Sequence, residues 1–264
     1  MDARVQAPAY LRLSDIGKTF GSGEQQTQAL GRVDLDVREG EFLAIVGPSG
    51  CGKSTLLQIA AGLATPSRGR VSFNGQDVSS PPPGIVYLFQ QYSKSLYPWR
   101  TVLDNVAFAV EHRPGMTTSA ARAHSQRYLE MVGLADFGQR YPAQLSGGMQ
   151  QRVTIARALA AEPRLLLMDE PFSSVDALTR MELHAMVLSL WETHRFTAVL
   201  VTHDVDEAVF LADRIAVLSR RPSTVVQVFE TGLPRPRDKI STPELPRYLE
   251  LRHTLLSQLL ERPA

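Results

Sequence analysis

The segment GPSGCGKST, from Gly47 to Thr55, constrains the fold of this chain more than any other stretch of its sequence. It follows the apolar run FLAIV and precedes a helical pattern, so a G-x-x-x-x-G-K-S/T motif stands between a predicted strand and a predicted helix. Glycines let the backbone turn its N–H groups toward one point, and the start of the helix adds partial positive charge. The segment, called the phosphate loop below, therefore predicts an anion site on an α/β fold.

The residues of the phosphate loop have separate predicted tasks in nucleotide binding. Lys53 is expected to contact the β- and γ-phosphates of ATP, Ser54 to ligate Mg²⁺, and Thr55 to steady the region of the α-phosphate. The side chain of Cys51 occupies a variable position of the motif, so we assign it no chemistry. The predicted nucleotide-binding residues of the loop are Gly47, Pro48, Ser49, Gly50, Cys51, Gly52, Lys53, Ser54 and Thr55.

Apolar runs and helical patterns alternate along the chain. Short apolar runs predict strands at 33–37, 42–47, 70–74, 85–90, 164–169, 197–203 and 214–219. Helical patterns lie at about 53–62, 102–111, 117–132, 147–161, 178–194, 204–212 and 243–261. Continuously apolar strands such as 164–169 and 197–203 are typical of a parallel sheet covered on both faces, which favours an α/β core. The segment at about 92–162 is mostly helical and is predicted to form an inserted lobe.

Composition limits the possible functions. The chain has 264 residues, 44% of them hydrophobic, which suffices for one large domain or a main lobe with a smaller one attached. A net charge of +1 argues against the basic surface that nucleic-acid binding requires. The single cysteine excludes an internal disulfide, and no stretch is apolar enough for a signal peptide or a membrane span. We therefore expect a cytoplasmic protein that reaches a membrane only by docking on other subunits.

The segment RLLLMDEP supplies a pair of carboxylates at the end of a predicted buried strand. Ligands of α/β sheets collect at the carboxyl ends of strands. Asp169 is expected to hold Mg²⁺, through water, and Glu170 to act as general base toward the attacking water. Acidic residues at strand ends are also common as plain surface residues, so the assignment depends on the phosphate loop elsewhere in the chain.

The segment LSGGMQQR, from Leu145 to Arg152 and called the signature segment below, predicts a second anion site. Ser146 can cap the helix that begins near Gly147, while Gly147 and Gly148 leave its first N–H groups uncovered. A helix that is merely well capped is the alternative. The residues alone do not place this site near the phosphate loop or far from it.

With these motifs the chain resembles the nucleotide-binding subunits of ATP-binding-cassette (ABC) transporters, in family order from Phe20 to His203. The resemblance implies a P-loop NTPase with a RecA-like α/β core, an N-terminal antiparallel β subdomain and an inserted helical subdomain. The ABC ATPase domain is expected at 8–232, followed by a short helical extension at 233–264. It also implies a head-to-tail dimer with a second copy or a homologous subunit, in which the signature segment contacts the γ-phosphate of ATP held by the partner's phosphate loop.

The resemblance assigns roles to four further residues. Gln90 is expected to sense Mg²⁺ and the attacking water, and His203 to contact the γ-phosphate. Asp176 matches the aspartate loop that crosses the dimer interface. Phe20 matches the aromatic residue that stacks on adenine, although tyrosine is more usual there and a buried core phenylalanine is the alternative. The catalytic residues implied are Glu170, His203 and Gln90, and the implied metal ligands are Ser54, Gln90 and Asp169.

The segment from Gln91 to Val110 indicates which process ATP hydrolysis drives. It sets Leu96, Tyr97, Pro98 and Trp99 in one loop, where an apolar cluster is hard to bury locally; packing on the chain's own helical lobe is the alternative. In the family this region receives a coupling helix of the membrane subunit. LYPWRTVLDNVAF is close to the LLPWRTVLDNV form of importers for nitrate, sulfonate, taurine and related anions.

The resemblance therefore implies an ATP-hydrolysing import subunit at the cytoplasmic face of the inner membrane. Its partners would be integral-membrane permease subunits and, indirectly, an extracytoplasmic solute-binding protein, which together choose the solute. The alternative is an ABC-type ATPase of DNA repair or translation, although such proteins carry long coiled coils, zinc-binding cysteines or two cassettes. A P-loop phosphotransferase would leave the signature segment unexplained. The final helical pattern is amphipathic and is expected to pack on its own domain rather than on a partner, through a face that carries Leu245, Leu249, Leu255, Leu256 and Leu259.

Overall fold

The computed structural model describes residues 9–260, which divide into two compact units. The first unit comprises 9–83 and 197–260, and the second comprises Gly84–Phe196. Residue 8, where the predicted ATPase domain begins, and residues 261–264 of the predicted extension lie outside the described residues.

Strands predominate in the N-terminal part of the chain, four helices follow β6, and strands and helices alternate from β7 to β9. The strands are β1 (Leu11–Phe20), β2 (Thr27–Val37), β3 (Phe42–Val46), β4 (Arg68–Phe73), β5 (Gln76–Asp77), β6 (Ile85–Leu88), β7 (Leu165–Asp169), β8 (Thr197–Val201), β9 (Arg214–Leu218) and β10 (Val225–Glu230). The helices are α1 (Lys53–Ala60), α2 (Tyr92–Ser95), α3 (Val102–Ala107), α4 (Thr118–Met131), α5 (Gly147–Ala160), α6 (Ala177–His194), α7 (Val205–Leu211) and α8 (Pro246–Leu260).

The first unit is built on two groups of strands. β2, β1, β4 and β5 form an antiparallel sheet in that order. In the other group β3 pairs in parallel with both β8 and β9, and β10 adds antiparallel to β9. β3 and β8 are buried along their whole length, which explains why both read as uninterrupted apolar runs. The phosphate loop leaves the carboxyl end of β3.

The second unit holds the mostly helical part of the chain. β6 and β7 pair in parallel, with Ile85 opposite Leu165. α3, α4 and α5 pack on one another, and α5 also contacts β6 and α6. α5 buries an apolar stripe that includes Val153, Ala156 and Ala160. This packing positions the signature segment at the start of α5.

The predicted fold class is confirmed: the chain has an α/β core, an antiparallel β part near the N-terminus and an inserted helical part. Every predicted strand and helix is present, with its ends displaced by a few residues. β1, β5, β10 and the short α2 were not predicted. β1 carries polar residues such as Ser14, Asp15 and Lys18 and has several irregularities of register, so its strand form depends on pairing with β2 and β4 on either side.

The final helix packs on the first unit, as predicted, and buries only part of the predicted face. Tyr248, Leu251 and Leu255 are buried, whereas Leu249, one of the leucines expected to be buried, is exposed. The hydroxyl of Tyr248 donates a hydrogen bond to the carbonyl oxygen of Asp206 in α7 at 3.0 Å, and burial raises the pKa of this tyrosine. Within residues 9–260 no helix is long and apolar enough to cross a membrane.

Candidate functional site

The phosphate loop depends on glycine for its backbone shape. Gly50 and Gly52 have φ angles of +73° and +107°, in the left-handed region that side chains disfavour. Gly52 also caps α1 without a side chain, and a Cβ there would lie 2.9 Å from Cδ2 of Leu30. The absence of a side chain at Gly52 therefore lets the loop approach β2 closely.

Lys53 lies at the centre of the phosphate loop. Its side chain is buried, with only 5% of the residue exposed, and its Nζ donates hydrogen bonds to the carbonyl oxygens of Gly47 at 2.8 Å and Pro48 at 3.1 Å. A buried ammonium group held by two backbone carbonyls at a helix start fits a polyphosphate, because both its charge and the amides of the helix start favour an anion. The contact of Lys53 with the β- and γ-phosphates stays a prediction.

Ser223 supports the phosphate loop through a hydrogen bond to its backbone, a role that no sequence pattern predicted. Its hydroxyl donates to the carbonyl oxygen of Cys51, and the serine is fully buried. Its own N–H donates to the carbonyl oxygen of Ala29 at 3.1 Å, and its carbonyl accepts from Gly31 at 2.9 Å. Ser223 thus ties the loop between β9 and β10 to both the phosphate loop and β2. Cys51 is buried and its backbone, rather than its thiol, takes part in this arrangement.

The ring of Phe20 is available at the end of β1. The residue is 48% exposed, so the core-phenylalanine alternative is wrong. The ammonium of Lys18 lies 5.1 Å from the centroid of the ring and donates a hydrogen bond to the carbonyl oxygen of Thr65 at 2.7 Å. A cation over the ring fixes its orientation by a cation–π contact. His203, in the same unit, is exposed and lies beyond the end of β8 at Val201, so the expectation that it ends the strand is corrected.

The acidic pair lies at the end of β7 in the second unit, and each carboxylate has a partner there. Asp169 is buried, and its Oδ2 accepts a hydrogen bond from the hydroxyl of Tyr87 at 2.9 Å. Glu170 has a φ of +45°, which is uncommon outside glycine and is a frequent feature of functional sites. Its Oε2 accepts from Nε2 of Gln90 at 3.0 Å.

The structure thus brings together three of the predicted residues and one that was missed. Gln90 does not end its strand as expected, because β6 stops at Leu88 and Gln90 belongs to the exposed turn that follows. This turn is what allows the Gln90 amide to reach Glu170. Tyr87 was missed, although its place opposite Leu167 in the parallel pair of β6 and β7 sets it beside the acidic strand.

The signature segment begins α5 as predicted. The Oγ of Ser146 caps the helix by accepting a hydrogen bond from the backbone N–H of Met149 at 3.3 Å. Gly147 and Gly148 are already helical and carry no positive φ. Arg152 is joined to Glu182 of α6 by an ion pair at 2.9 Å. A cavity of about 300 Å³ opens beside this helix start, lined by Ser146, Gly148, Met149, Arg152, Thr179, Glu182 and residues near Leu134.

Asp176 caps the neighbouring helix, α6. Its Oδ1 accepts a hydrogen bond from the backbone N–H of Thr179 at 3.0 Å. That bond lowers the pKa of the Asp176 carboxyl from its ordinary value, because it stabilises the charged form. Asp176 and the adjacent Leu178 are both exposed, which leaves this turn available to another molecule.

The segment 91–110 presents Trp99 outward. Trp99 is 71% exposed, so the alternative in which it packs on its own lobe is wrong, whereas Leu96 in the same segment is buried. Asn105 is fully buried, and its Nδ2 donates to the carbonyl oxygens of Tyr97 at 3.0 Å and Arg100 at 3.1 Å. Its Oδ1 accepts from the Tyr97 N–H at 2.8 Å. One buried amide therefore holds the turn in the shape that displays the indole.

Comparison with known proteins places these features in one family. Residues 30–173, more than half of the chain, match the ABC transporter family. The nitrate import ATP-binding protein NrtD of Synechococcus elongatus is 43% identical, over 96% of this chain and 92% of the relative. The bicarbonate transport ATP-binding protein CmpD of Synechocystis sp. is 41% identical, over 96% of this chain and 90% of the relative.

A solved structure extends the match to three dimensions. The dimeric structure of the ATP-binding cassette MJ0796 in a post-hydrolysis state, bound to ADP and Pi, aligns with a TM-score of 0.73 at 34% identity. The alignment covers 83% of this chain and 98% of that chain. The chain therefore belongs to the ABC transporter family and is an ATP-binding subunit that hydrolyses ATP to power transport.

Proposed function

We propose that this chain powers the import of a small anion, through separate membrane subunits, by hydrolysing ATP as a head-to-tail dimer. The observation that carries the proposal is the arrangement at the end of β7, where Gln90 holds Glu170 beside the buried Asp169. Glu170 has a left-handed backbone conformation, and the amide of Gln90 fixes its carboxylate. This arrangement orients the carboxylate to take a proton from water. The names of the relatives, nitrate import and bicarbonate transport, support an anion as the solute.

Nucleotide binding is assigned to the phosphate loop and Phe20. The amides of Gly50 and Gly52 and the ammonium of Lys53 would surround the β- and γ-phosphates, and Thr55 would contact the α-phosphate region. Phe20 would stack on adenine through the ring face opposite Lys18. Because a π-face contact reads no hydrogen-bonding edge, we expect weak selectivity among purine bases.

Mg²⁺ is assigned to Ser54, Asp169 and Gln90. Their hydroxyl, carboxylate and amide oxygens are the hard donors that Mg²⁺ prefers, and the burial of Asp169 keeps its carboxylate in place. When bound, Mg²⁺ would neutralise charge on the transferring phosphoryl group.

Hydrolysis is assigned to Glu170 as general base, with His203 contacting the γ-phosphate. The experiment is Glu170→Gln, which keeps the size of the side chain and the hydrogen-bonding partner of Gln90 but removes the base. We expect ATP turnover to fall by roughly 10²- to 10⁴-fold while ATP binding persists. Wild-type turnover in this variant would contradict the assignment.

The dimer is proposed from the two half-sites of one chain. The signature segment, with Ser146, Gly147 and Gly148, would contact the γ-phosphate bound to the partner's phosphate loop, and Asp176 would lie at the same interface. The matched structure, which is bound to ADP and Pi, is likewise a dimer of an ATP-binding cassette. Ser146→Arg should block hydrolysis but leave ATP binding to the isolated chain unchanged. Loss of ATP binding in the monomer would contradict the trans arrangement.

Docking on the membrane subunits is assigned to the segment 91–110. The exposed Trp99, held out by the turn around Asn105, offers an apolar contact for a helix of a permease at the cytoplasmic face of the membrane. Trp99→Ala should leave the ATPase activity of the purified chain unchanged and abolish its co-purification with the permease. Leu63→Ala, which removes another exposed apolar side chain, is the matched control.

The identity of the transported solute is tested by reconstitution of the transporter. The chain, the permease and the solute-binding protein encoded with it are placed in liposomes, and ATPase activity is measured with nitrate, bicarbonate or taurine. Stimulation by one of these anions supports the proposal. Stimulation only by a neutral or cationic solute would contradict it.

A further inference from the structure

Gly148 in the signature segment needs glycine for space rather than for backbone conformation. It is the second residue of α5 and has helical geometry, which alanine adopts readily. A Cβ at this position would lie 2.5 Å from Cγ2 of Thr179, far inside van der Waals contact. The next atoms it would meet are Cβ and Oγ1 of the same threonine, both at 3.8 Å, which is ordinary contact. One methyl group of one residue therefore accounts for the conflict.

Thr179 lies between the two predicted interface elements of this unit. Its backbone N–H donates to the Asp176 carboxylate, which caps α6, and its methyl covers the Cα of Gly148 in α5. Thr179 also lines the cavity that Ser146 and Gly148 share. The ion pair of Arg152 with Glu182 joins the same two helices one turn further on. Since Thr is β-branched, its methyl has few alternative positions in a helix.

We propose that Thr179 is a positioning residue that sets the signature segment against the Asp176 turn, and that Gly148 is glycine because of this contact within its own chain. The inference depends on the direction in which a side chain at Gly148 would point. The space that a Cβ would need at Gly148 is filled by Thr179 itself, so the clash arises without any partner. The role of the signature segment in this proposal rests on the proposed function. The contact between Gly148 and Thr179 does not depend on it.

The experiment is a double-mutant cycle on the full chain. Gly148→Ala alone should lower ATPase turnover about tenfold or more, since overpacking forces the two helix starts apart. Thr179→Ser deletes only the interfering methyl and keeps the hydroxyl, so Gly148→Ala/Thr179→Ser should recover turnover to within about threefold of Thr179→Ser. Thr179→Val keeps a methyl in place and removes the hydroxyl; Gly148→Ala/Thr179→Val should stay as impaired as Gly148→Ala.

Two further readouts separate this inference from the proposed function. The thermal midpoint should fall in Gly148→Ala and return in the pair with Thr179→Ser, whether or not the chain acts as proposed. ATP-dependent dimerisation, measured in a Glu170→Gln background, should follow the same pattern, while ATP binding to the monomer stays constant. If the pair with Thr179→Ser remains as inactive and unstable as Gly148→Ala, the inference is overturned and the proposed function stands. Full activity of Gly148→Ala alone would also overturn it.

Discussion

The phosphate loop and the signature segment are both glycine-containing turns that open a helix, but their glycines serve different purposes. In the phosphate loop Gly50 and Gly52 adopt positive φ, and α1 starts without a side-chain cap. In the signature segment the glycines are helical, and the Ser146 hydroxyl caps α5. The first turn uses glycine for a backbone shape that other residues resist, whereas in the second a Cβ at Gly148 would meet the methyl group of Thr179.

The two turns also differ in what supports them. The phosphate loop is fixed from inside its unit by the buried Lys53 and the buried Ser223. The signature segment is held by an exposed cap and by contacts with α6, and its Ser146 is exposed. A preorganised site that binds its own ligand can be buried and rigid, while a half-site for a partner has to remain accessible.

The largest difference between the turns should appear when a methyl group is added to Gly52. Gly52→Ala combines a left-handed backbone, which costs roughly 1–2 kcal/mol for a non-glycine residue, with a Cβ at 2.9 Å from Leu30. We expect ATP binding to be lost in titration calorimetry. Gly50→Ala is the matched control, because its φ is also positive but a Cβ there meets only Nη2 of Arg221 at 4.0 Å. Equal losses in the two variants would show that close packing against β2 does not matter.

Removal of the Ser223 hydroxyl should weaken the phosphate loop less than Gly52→Ala. Ser223→Ala leaves the buried carbonyl of Cys51 without this donor, a change that costs roughly 1–3 kcal/mol. We expect ATP affinity to fall by about tenfold, with turnover at saturating ATP nearly unchanged. Isothermal titration and the ATP dependence of turnover measure the two quantities. Unchanged ATP affinity in a folded Ser223→Ala variant would mean that the loop holds its shape without this support.

The matching change on the other turn is Ser146→Ala. Loss of a serine cap costs about 1 kcal/mol of stability, and this cap is exposed. ATP binding to the isolated chain should stay at the wild-type value, and only ATP-dependent dimerisation and turnover should decrease. The comparison between the turns fails if Ser146→Ala weakens ATP binding as much as Ser223→Ala does.

The sequence predicted the parts of this site that are encoded locally. The phosphate loop, the acidic pair and the Ser146 cap each depend on residues within one turn or strand end, so their residue types and spacing suffice. Ser223 was invisible because it meets Cys51 across a separation of 172 residues. β1 was missed for another reason, since its polar residues form a strand only through pairing with β2 and β4 on either side. The end of β6 was placed too late because the apolar Phe89 continues the run past Leu88, and the end of β8 because Thr202, a residue with strand propensity, follows Val201.

The smallest expected effect concerns the charge of the Asp176 cap beside the signature segment. Its hydrogen bond from Thr179 lowers the carboxyl pKa from its ordinary value of 3.8, so the folded chain releases this proton more readily than the unfolded chain. The charged cap therefore adds stability above about pH 4, and this contribution is lost as the pH falls through the lowered pKa. Asp176→Asn also caps helices well but carries no charge. We expect wild type to have the higher urea midpoint at pH 6, and the gap between the two proteins to narrow as the pH falls below 4. A gap that is independent of pH would show that the cap acts through its hydrogen bond alone, as the uncharged Ser146 cap does.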